Sequence, residues 1–292
     1  MIRAMRRPVT RFALFLGVSY ALWLLAAAPA LAAAPAIHAH RGGALVGGKP
    51  TYPENTMPAF RHAAKDGFVL ELDVKLTKDG VPVVIHDATL DRVTPCSGEV
   101  VERTLRQLSH CKVDVLGAEE TLRQLPRGDP RRVPIPTLAQ VLGFIRRTGS
   151  RANIEIKNIP TDPDFDAGSG FARTVTVAIR RSGVPLKNVI VQSFWPPNLD
   201  VAKQQIPRAD TSLLTISALN DSGISQADSN GYDWVSPQWP VTQDYVSRAH
   251  SNGLRVVPFT IDAGPEIRKA ASFGVDALIT NEPVRARRVL NR

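Results

Sequence analysis

The feature that most constrains the fold is a repeated unit: a short apolar run, a polar turn, and a segment whose apolar residues follow helical spacing. Several of the helical segments end in glycine, which is favoured at helix termini. Strands that alternate with helices in this way form βαβ units and a parallel sheet. The eight runs are AIHA (36–39), VLELDVKLT (69–77), NIEIK (153–157), NVIVQSF (188–194), TSLLTI (211–216), YDWVSP (232–237), RVVPFT (255–260) and DALIT (276–280).

Eight strand-helix units in about 260 residues are typical of an α/β protein of the (β/α)8 TIM-barrel type, folded as one domain. A doubly wound open sheet is the alternative, but no GxGxxG motif follows the first predicted strand. Residues 81–87 are expected to pair with the second strand as a hairpin or to continue it. Residues 88–133 break the rhythm, and we interpret them as a long insertion after the second strand, near the mouth of the barrel.

The first 32 residues have the three parts of a secretory signal peptide, namely a basic start, an apolar stretch and a small-residue end. We expect cleavage after Ala32, which would leave a barrel domain over 33–292 and no stable membrane span. An uncleaved membrane anchor is the alternative, but Pro29 and the small-residue end favour cleavage. The predicted location is therefore secreted, periplasmic or in the cell envelope.

The charge distribution bears on which partners the protein binds, and the two cysteines bear on the compartment in which it folds. Four arginines of the signal segment contribute to the net charge of +9, and no basic run is interleaved with aromatic residues. Nucleic acid is therefore not an expected partner. Cys96 and Cys111 both lie in the insertion. In an exported protein so close a pair predicts a disulfide that closes a loop, whereas the absence of CxxC spacing disfavours a metal or redox site.

Ionisable and polar residues gather where the predicted strands end. The carboxyl ends of barrel strands meet on one face, which is where active sites of this architecture lie. The residues concerned are His40, Arg41, Glu71, Asp73, His86, Asp87, Glu155, Lys157, Ser193, Thr280 and Asn281.

Glu71 and Asp73 are two residues apart and share one strand face, and Glu155 joins them from the next strand. Three neighbouring carboxylates repel one another or raise one another's pKa values. A hard divalent cation removes that conflict, and an all-oxygen ligand set favours Ca²⁺ or Mg²⁺ over zinc. The alternative is an ion-pair network with nearby cations, namely Lys75, Lys157 or Arg41.

The other residues of this set suit phosphoester chemistry. His40 and His86 have the side chain best suited to general acid–base work near neutral pH. Arg41 and Lys157 are cations that could bind phosphate oxygens. Together with the predicted metal, these residues indicate metal-assisted cleavage of a phosphoester.

Five motifs together resemble the glycerophosphodiester phosphodiesterase family. They are HRGG (40–43), PENT (53–56), ELDVKLTKDGVPVVIHD (71–87), EIK (155–157) and GVDALITNEP (274–283). The resemblance implies an α/β barrel that uses a divalent metal to hydrolyse glycerophosphodiesters to glycerol 3-phosphate and an alcohol. The expected substrate is a small-molecule glycerophosphodiester or a wall glycerophosphate.

The resemblance also implies a role for each motif residue. The expected general acid and base are His40 and His86, in an order that the sequence leaves open. The expected metal ligands are Glu71, Asp73 and Glu155. Arg41 and Lys157 are expected to contact the phosphate, and Glu54 of PENT to contact the substrate or to orient the site. Phe259 and Asn281 stand where the family often has tryptophan and aspartate.

Two other functions fit the same scaffold. One is a phospholipase-D-like lyase that forms a cyclic phosphate from lysophospholipid or sphingomyelin. The other is a non-catalytic phosphodiester-binding barrel. The motifs PENT and EIK and the tail GVDALITNEP favour the hydrolase, and the presence of both histidines and all three carboxylates disfavours a binding protein.

Overall fold

The computed structural model describes residues 34–114, 132–218 and 221–291. The predicted signal segment 1–32 lies outside these residues, as do residues 115–131 of the insertion. Within the described part of the chain, no helix has both the length and the apolar character needed to cross a membrane.

In the described ranges, eight parallel strands, each followed by a helix, form a barrel with an outer layer of helices. The strands, here called the first to eighth barrel strands, are Ala36–Ala39, Val69–Leu76, Ala152–Ile156, Val189–Ser193, Asp210–Thr215, Trp234–Pro237, Arg255–Val256 and Ala277–Thr280. The helices that follow them are Met57–Lys65, Leu138–Thr148, Gly170–Ser182, Pro196–Gln205, Ser222–Ser229, Gln243–Ser251, Gly264–Ser272 and Pro283–Leu290.

The strands pair in chain order, and the first also pairs with the eighth. Between the seventh and the eighth, backbone hydrogen bonds replace a regular ladder: Asp276 N donates to Val256 O at 3.0 Å and Ile279 N to Pro258 O at 3.0 Å. The sheet is thus a nearly closed barrel, which confirms the (β/α)8 prediction over the open sheet. The seventh strand is shorter than the predicted run 255–260, since its regular part ends at Val256.

The second barrel strand shows how alternation places charged residues inside the barrel. Leu70, Leu72 and Val74 are fully buried in the main hydrophobic core, where the strands pack against the helices. Glu71 and Asp73 alternate with them and therefore face the barrel interior. The apolar face of the strand stabilises the fold, while the opposite face places carboxylates in the interior of the barrel.

Helix Leu138–Thr148 illustrates the local signals that define the outer layer. Thr137 caps its start by accepting a hydrogen bond from Gln140 N, and Gly149 ends it in the left-handed conformation. Its buried residues follow the spacing of one helix face and are Leu138, Val141, Leu142 and Ile145.

The insertion begins after a hairpin in which Pro82–Val84 pairs antiparallel with the second barrel strand, which is the first of the two alternatives left open by the sequence. Its described part contains helix Leu105–Leu108 and an antiparallel pair of strands, Lys112–Val113 and Val133–Pro134. A second, small hydrophobic cluster includes Leu90, Val93, Val100, Leu108 and Cys111 of the insertion together with Val83, Ile85 and Ile135 beside it. Cys96 and Cys111 form the predicted disulfide. A second short hairpin, Leu45–Val46 with Lys49–Pro50, follows the first barrel strand.

Candidate functional site

Three carboxylates meet at the mouth of the barrel. One oxygen from each of Glu71, Asp73 and Glu155 lies within 4.8 Å of the others, and all three residues are buried. Asp73 and Glu155 are register partners on the second and third barrel strands, which brings their side chains together. The structure thus places the three acids as the two-residue spacing predicts, side by side and away from bulk solvent.

The electrostatics of this cluster leave a conflict that a cation would remove. Burial, and then the charges of Asp73 and Glu155, raise the pKa of Glu71 well above its usual range. Burial likewise raises the pKa of Glu155. The pKa of Asp73 is lowered, because His86, Arg41 and Lys157 outweigh its burial. A buried all-oxygen donor set with this charge fits Ca²⁺ or Mg²⁺.

Neighbouring polar groups hold the carboxylates in place. Gln192 Nε2 donates to Glu71 Oε1 at 2.8 Å, and the backbone N of Arg41 donates to Glu71 Oε2 at 2.8 Å. Asn55 Nδ2 donates to Asp73 Oδ2 at 2.8 Å. The motifs HRGG and PENT therefore meet at the acid cluster, because each supplies a donor to it.

The HRGG motif forms a tight turn at the end of the first barrel strand. Arg41 has a φ of 52° and Gly42 a φ of 88°, both in the left-handed region. A Cβ at Gly42 would lie 2.7 Å from the Cβ of Ala59, so only glycine lets the turn pack on the following helix. This packing directs His40 and Arg41 into the mouth of the barrel.

His40 is backed by a neutral amide. Its Nδ1 lies 2.7 Å from Asn281 Oδ1, and Asn281 Nδ2 donates to Asp262 Oδ2 at 2.8 Å. Because the carboxylate of Asp262 accepts from the amide nitrogen, the amide oxygen must face His40, and Nδ1 must carry the proton. Burial, and then the charge of Arg41, lower the pKa of His40 to about 4. His40 is therefore neutral near pH 7, with an unprotonated Nε2.

His86 is backed by a carboxylate instead. Its Nδ1 lies 2.5 Å from Asp87 Oδ1, while its Nε2 lies 3.0 Å from Lys157 Nζ. Lys157 also approaches Glu155 Oε1 at 3.2 Å, so it connects His86 with the acid cluster. Asp87 thus fixes the orientation of the His86 ring through Nδ1, and Nε2 is the ring atom that faces the other groups of the site.

Glu54 faces two arginines. Its Oε1 accepts from Arg41 Nη1 at 3.1 Å, and Arg92 donates to both of its oxygens. Although burial opposes it, Arg41 and Arg92 lower the pKa of Glu54, which therefore stays an anion. The structure places Glu54 behind Arg41, as a residue that orients a predicted phosphate contact.

Lys75 and Ser193 form hydrogen bonds to groups outside the acid cluster. Lys75 Nζ donates to Asp162 at 2.6 Å and to Asp164 at 2.8 Å, so its ion pairs tie down the loop after the third barrel strand. Ser193 Oγ donates to Ile156 O at 3.0 Å and thus joins two strands. Of the cations considered as alternatives to a metal, only Arg41 and Lys157 approach the acid cluster among the described residues.

A cavity of about 230 Å³ opens beside these groups. Its charged side is formed by His40, Arg41, Glu71, His86, Glu155 and Lys157, and its apolar side by Phe194, Leu214, Phe259 and Ile279. A phosphodiester bound there would have cations, two histidines and the acid cluster on one side. Its organic group would contact the apolar side.

Three residues of this network were not predicted from the sequence. Gln192 carries a strand-alternation signal, since its neighbours Val191 and Ser193 face the other way. Asp262 and Arg92 lie in loops, where no periodic pattern indicates side-chain direction. The sequence indicates a role for Arg92 only through its position, five residues after Asp87, the last residue of the motif 71–87.

Comparisons with known proteins agree with this geometry. The model of the glycerophosphoryl diester phosphodiesterase family matches residues 40–285. A glycerophosphodiester phosphodiesterase of Bacillus altitudinis is 32% identical over 254 residues, which are 86% of this chain and 96% of the relative. One of Caldanaerobacter subterraneus subsp. tengcongensis is 30% identical over 249 residues, covering 84% and 93%.

A solved structure is similar in fold. A phosphodiesterase of Oleispira antarctica, in complex with the product sn-glycerol-3-phosphate, superposes with a TM-score of 0.70 at 21% identity. The similarity covers 88% of this chain and 97% of that one.

Proposed function

Because the chain belongs to the glycerophosphoryl diester phosphodiesterase family and is therefore a phosphoric diester hydrolase, we propose that its hydrolysis of glycerophosphodiesters is metal-dependent and uses His40 and His86. The proposed products are glycerol 3-phosphate and an alcohol. The single observation that carries the proposal is the buried cluster of Glu71, Asp73 and Glu155 beside two histidines whose Nδ1 atoms are held. The product named for the Oleispira antarctica structure supports the same substrate class.

Glu71, Asp73 and Glu155 would hold Ca²⁺ or Mg²⁺, which when bound supplies a positive charge that polarises the phosphodiester. Arg41 and Lys157 bind phosphate oxygens and neutralise the charge that develops there. Lys157 lies at the cavity wall, and Arg41 is oriented for this contact by Glu54.

The surroundings of the two histidines divide the proton transfers between them. His40, neutral and with a free Nε2, takes the proton from the nucleophile, which is water or the glycerol hydroxyl of the substrate. His86, paired with Asp87, donates a proton to the leaving alkoxide. The sequence does not say which histidine is the base and which is the acid. The amide behind His40 and the carboxylate behind His86 support this assignment.

The test combines product analysis with variants. The purified protein is incubated with glycerophosphocholine, glycerophosphoethanolamine and a wall glycerophosphate, and products are followed by phosphorus NMR. We expect open-chain glycerol 3-phosphate, and a loss of turnover of about 10²–10⁴-fold in His40→Ala and His86→Ala. A cyclic phosphate as the final product would instead indicate the lyase. Near-wild-type turnover in either variant would refute its histidine's role.

We further propose that the protein is exported, with cleavage after Ala32 and a barrel domain over 33–292. The disulfide between Cys96 and Cys111 supports an oxidising location, since such bonds are rare in reducing compartments. N-terminal sequencing of the protein from the extracytoplasmic fraction should begin at residue 33. An intact Met1 on membrane-bound protein would contradict cleavage.

A further inference from the structure

Arg92 is a residue of the insertion that donates three hydrogen bonds to carboxylates of the site. Its Nε donates to Asp87 Oδ2 at 2.5 Å, its Nη1 to Glu54 Oε2 at 2.9 Å and its Nη2 to Glu54 Oε1 at 2.7 Å. Its charge also pairs with both carboxylates. Asp87 lies behind His86 and Glu54 lies behind Arg41, so one guanidinium connects the two halves of the site.

We propose that Arg92 is a positioning residue for the hydrolysis, which orients His86 through Asp87 and Arg41 through Glu54. The inference rests on the proposed function and adds to it a role for the insertion. Arg92 itself is placed behind the residues that would contact the substrate.

Arg92 holds the carboxylate that lies behind His86. Asp87 has one oxygen on His86 Nδ1 and the other on Arg92 Nε, so its carboxylate is held at both ends. Although burial opposes it, these two hydrogen bonds lower the pKa of Asp87, which therefore stays ionised behind the ring. Without Arg92, the carboxylate could rotate away, and the His86 ring would lose its fixed orientation.

Arg92 also holds the carboxylate that lies behind Arg41. Glu54 is buried, with 7% of its surface exposed, and a buried carboxylate requires cationic partners. Arg92 supplies a two-bond fork to Glu54, so Arg41 needs to donate only one hydrogen bond at 3.1 Å. Without Arg92, Arg41 would be the main counter-charge of Glu54 and would be drawn away from the phosphate.

The insertion fixes Arg92 by packing. Leu90 and Val93, on either side of it, are buried in the second hydrophobic cluster, together with disulfide residue Cys111. Thr94 N donates to Leu90 O at 3.1 Å, which closes a turn around Arg92. Arg92 uses three separate nitrogens to bind Asp87 and both oxygens of Glu54. A lysine has one nitrogen, so it cannot reproduce the two-bond fork to Glu54 together with the bond to Asp87.

The test uses two substitutions and one matched control. Arg92→Ala removes the fork, and Arg92→Lys keeps the charge and most of the side-chain stem. Arg103→Ala is the control, since Arg103 lies in the same insertion, is exposed and donates to Ser97 O. Turnover and KM for glycerophosphocholine are measured with Ca²⁺ or Mg²⁺, with and without millimolar methylguanidinium.

We expect turnover to fall by about 10- to 100-fold in both Arg92 variants, the usual cost of losing a residue that orients a reactive group. Arg103→Ala should match the wild type. Arg92 is partly exposed, with 29% of its side chain accessible, so methylguanidinium can enter the vacated space and should raise the turnover of Arg92→Ala severalfold. It should leave the wild type and the control unchanged.

Wild-type turnover in Arg92→Ala, or a loss that methylguanidinium does not restore, would overturn the inference. If Arg92→Ala does not fold, Arg92→Lys decides: lowered turnover at an unchanged melting temperature supports the role, and unchanged turnover refutes it. An inactive wild-type protein would instead refute the proposed function, so the two failures are distinguishable.

Discussion

At the scale of single residues, the two histidines differ in what lies behind them. Asn281 and Asp262 form a chain that ends on His40, whereas Asp87 contacts His86 directly. The neutral amide fixes the His40 tautomer without adding charge, and this difference underlies the proposed division into base and acid.

Exchanging the two partners tests the chain behind His40. Asn281→Asp alone sets two carboxylates side by side, and Asp262→Asn alone removes the acceptor that orients the amide. Each should lower turnover by about 10- to 100-fold. The double exchange restores a donor at 262 and an acceptor at 281, so it should recover part of the activity. Because it also sets a carboxylate behind His40, the pKa of His40 should rise and the acid limb of the pH–rate profile should move to higher pH. A double variant no better than the worse single variant would contradict this role.

A second residue-scale prediction concerns stability. His38 is fully buried in the barrel, and burial, followed by the charge of Arg151, lowers its pKa from 6.5 to about 3. The unfolded chain therefore binds a proton at a higher pH than the folded protein does. The stability that results from a neutral His38 is complete above pH 6.5 and declines as the pH falls toward 3.

Melting temperatures of the wild type and His38→Asn, measured from pH 7 to pH 4, check this prediction. The wild type should lose more stability than the variant over that range, because only it carries the titrating ring. Parallel curves for the two proteins would show that His38 does not titrate in this way.

At the scale of elements, the insertion and the second barrel strand carry the site together. The strand supplies two of the three carboxylates, while the insertion holds Arg92 and is closed by a disulfide. Most residues of the second hydrophobic cluster lie in the insertion, and the disulfide lies there too, so the insertion can be destabilised without removing a residue of a barrel strand.

The double variant Cys96→Ser with Cys111→Ser tests this independence. The two cysteines are 15 residues apart, and a loop of that length gives a disulfide contribution of about 3 kcal/mol. Amide hydrogen exchange should accelerate over residues 88–114 and remain slow in the barrel strands. Equal acceleration in both regions would show that the insertion and the barrel unfold as one unit.

At the scale of the whole molecule, the alternation of predicted strands with predicted helices was enough to predict the barrel. Eight apolar runs separated by helical segments are compatible with few other topologies. The spacing of Glu71 and Asp73 predicted a shared face, since side-chain direction in a strand alternates strictly. Arg92 and Asp262 were not predicted, because their directions depend on loop conformation and on packing between distant segments. The assignment of His40 as base and His86 as acid likewise depends on the hydrogen-bond partners of each ring, which the sequence does not show.

The central claim is that Glu71, Asp73 and Glu155 bind a divalent cation on which hydrolysis depends. Its most direct test is the rate of glycerol 3-phosphate release by chelator-treated protein as Ca²⁺ or Mg²⁺ is added back. The account predicts negligible release without metal, saturable recovery with one of the two ions, and a much weaker recovery in Glu71→Gln and Asp73→Asn. Full activity in the presence of chelator would contradict it.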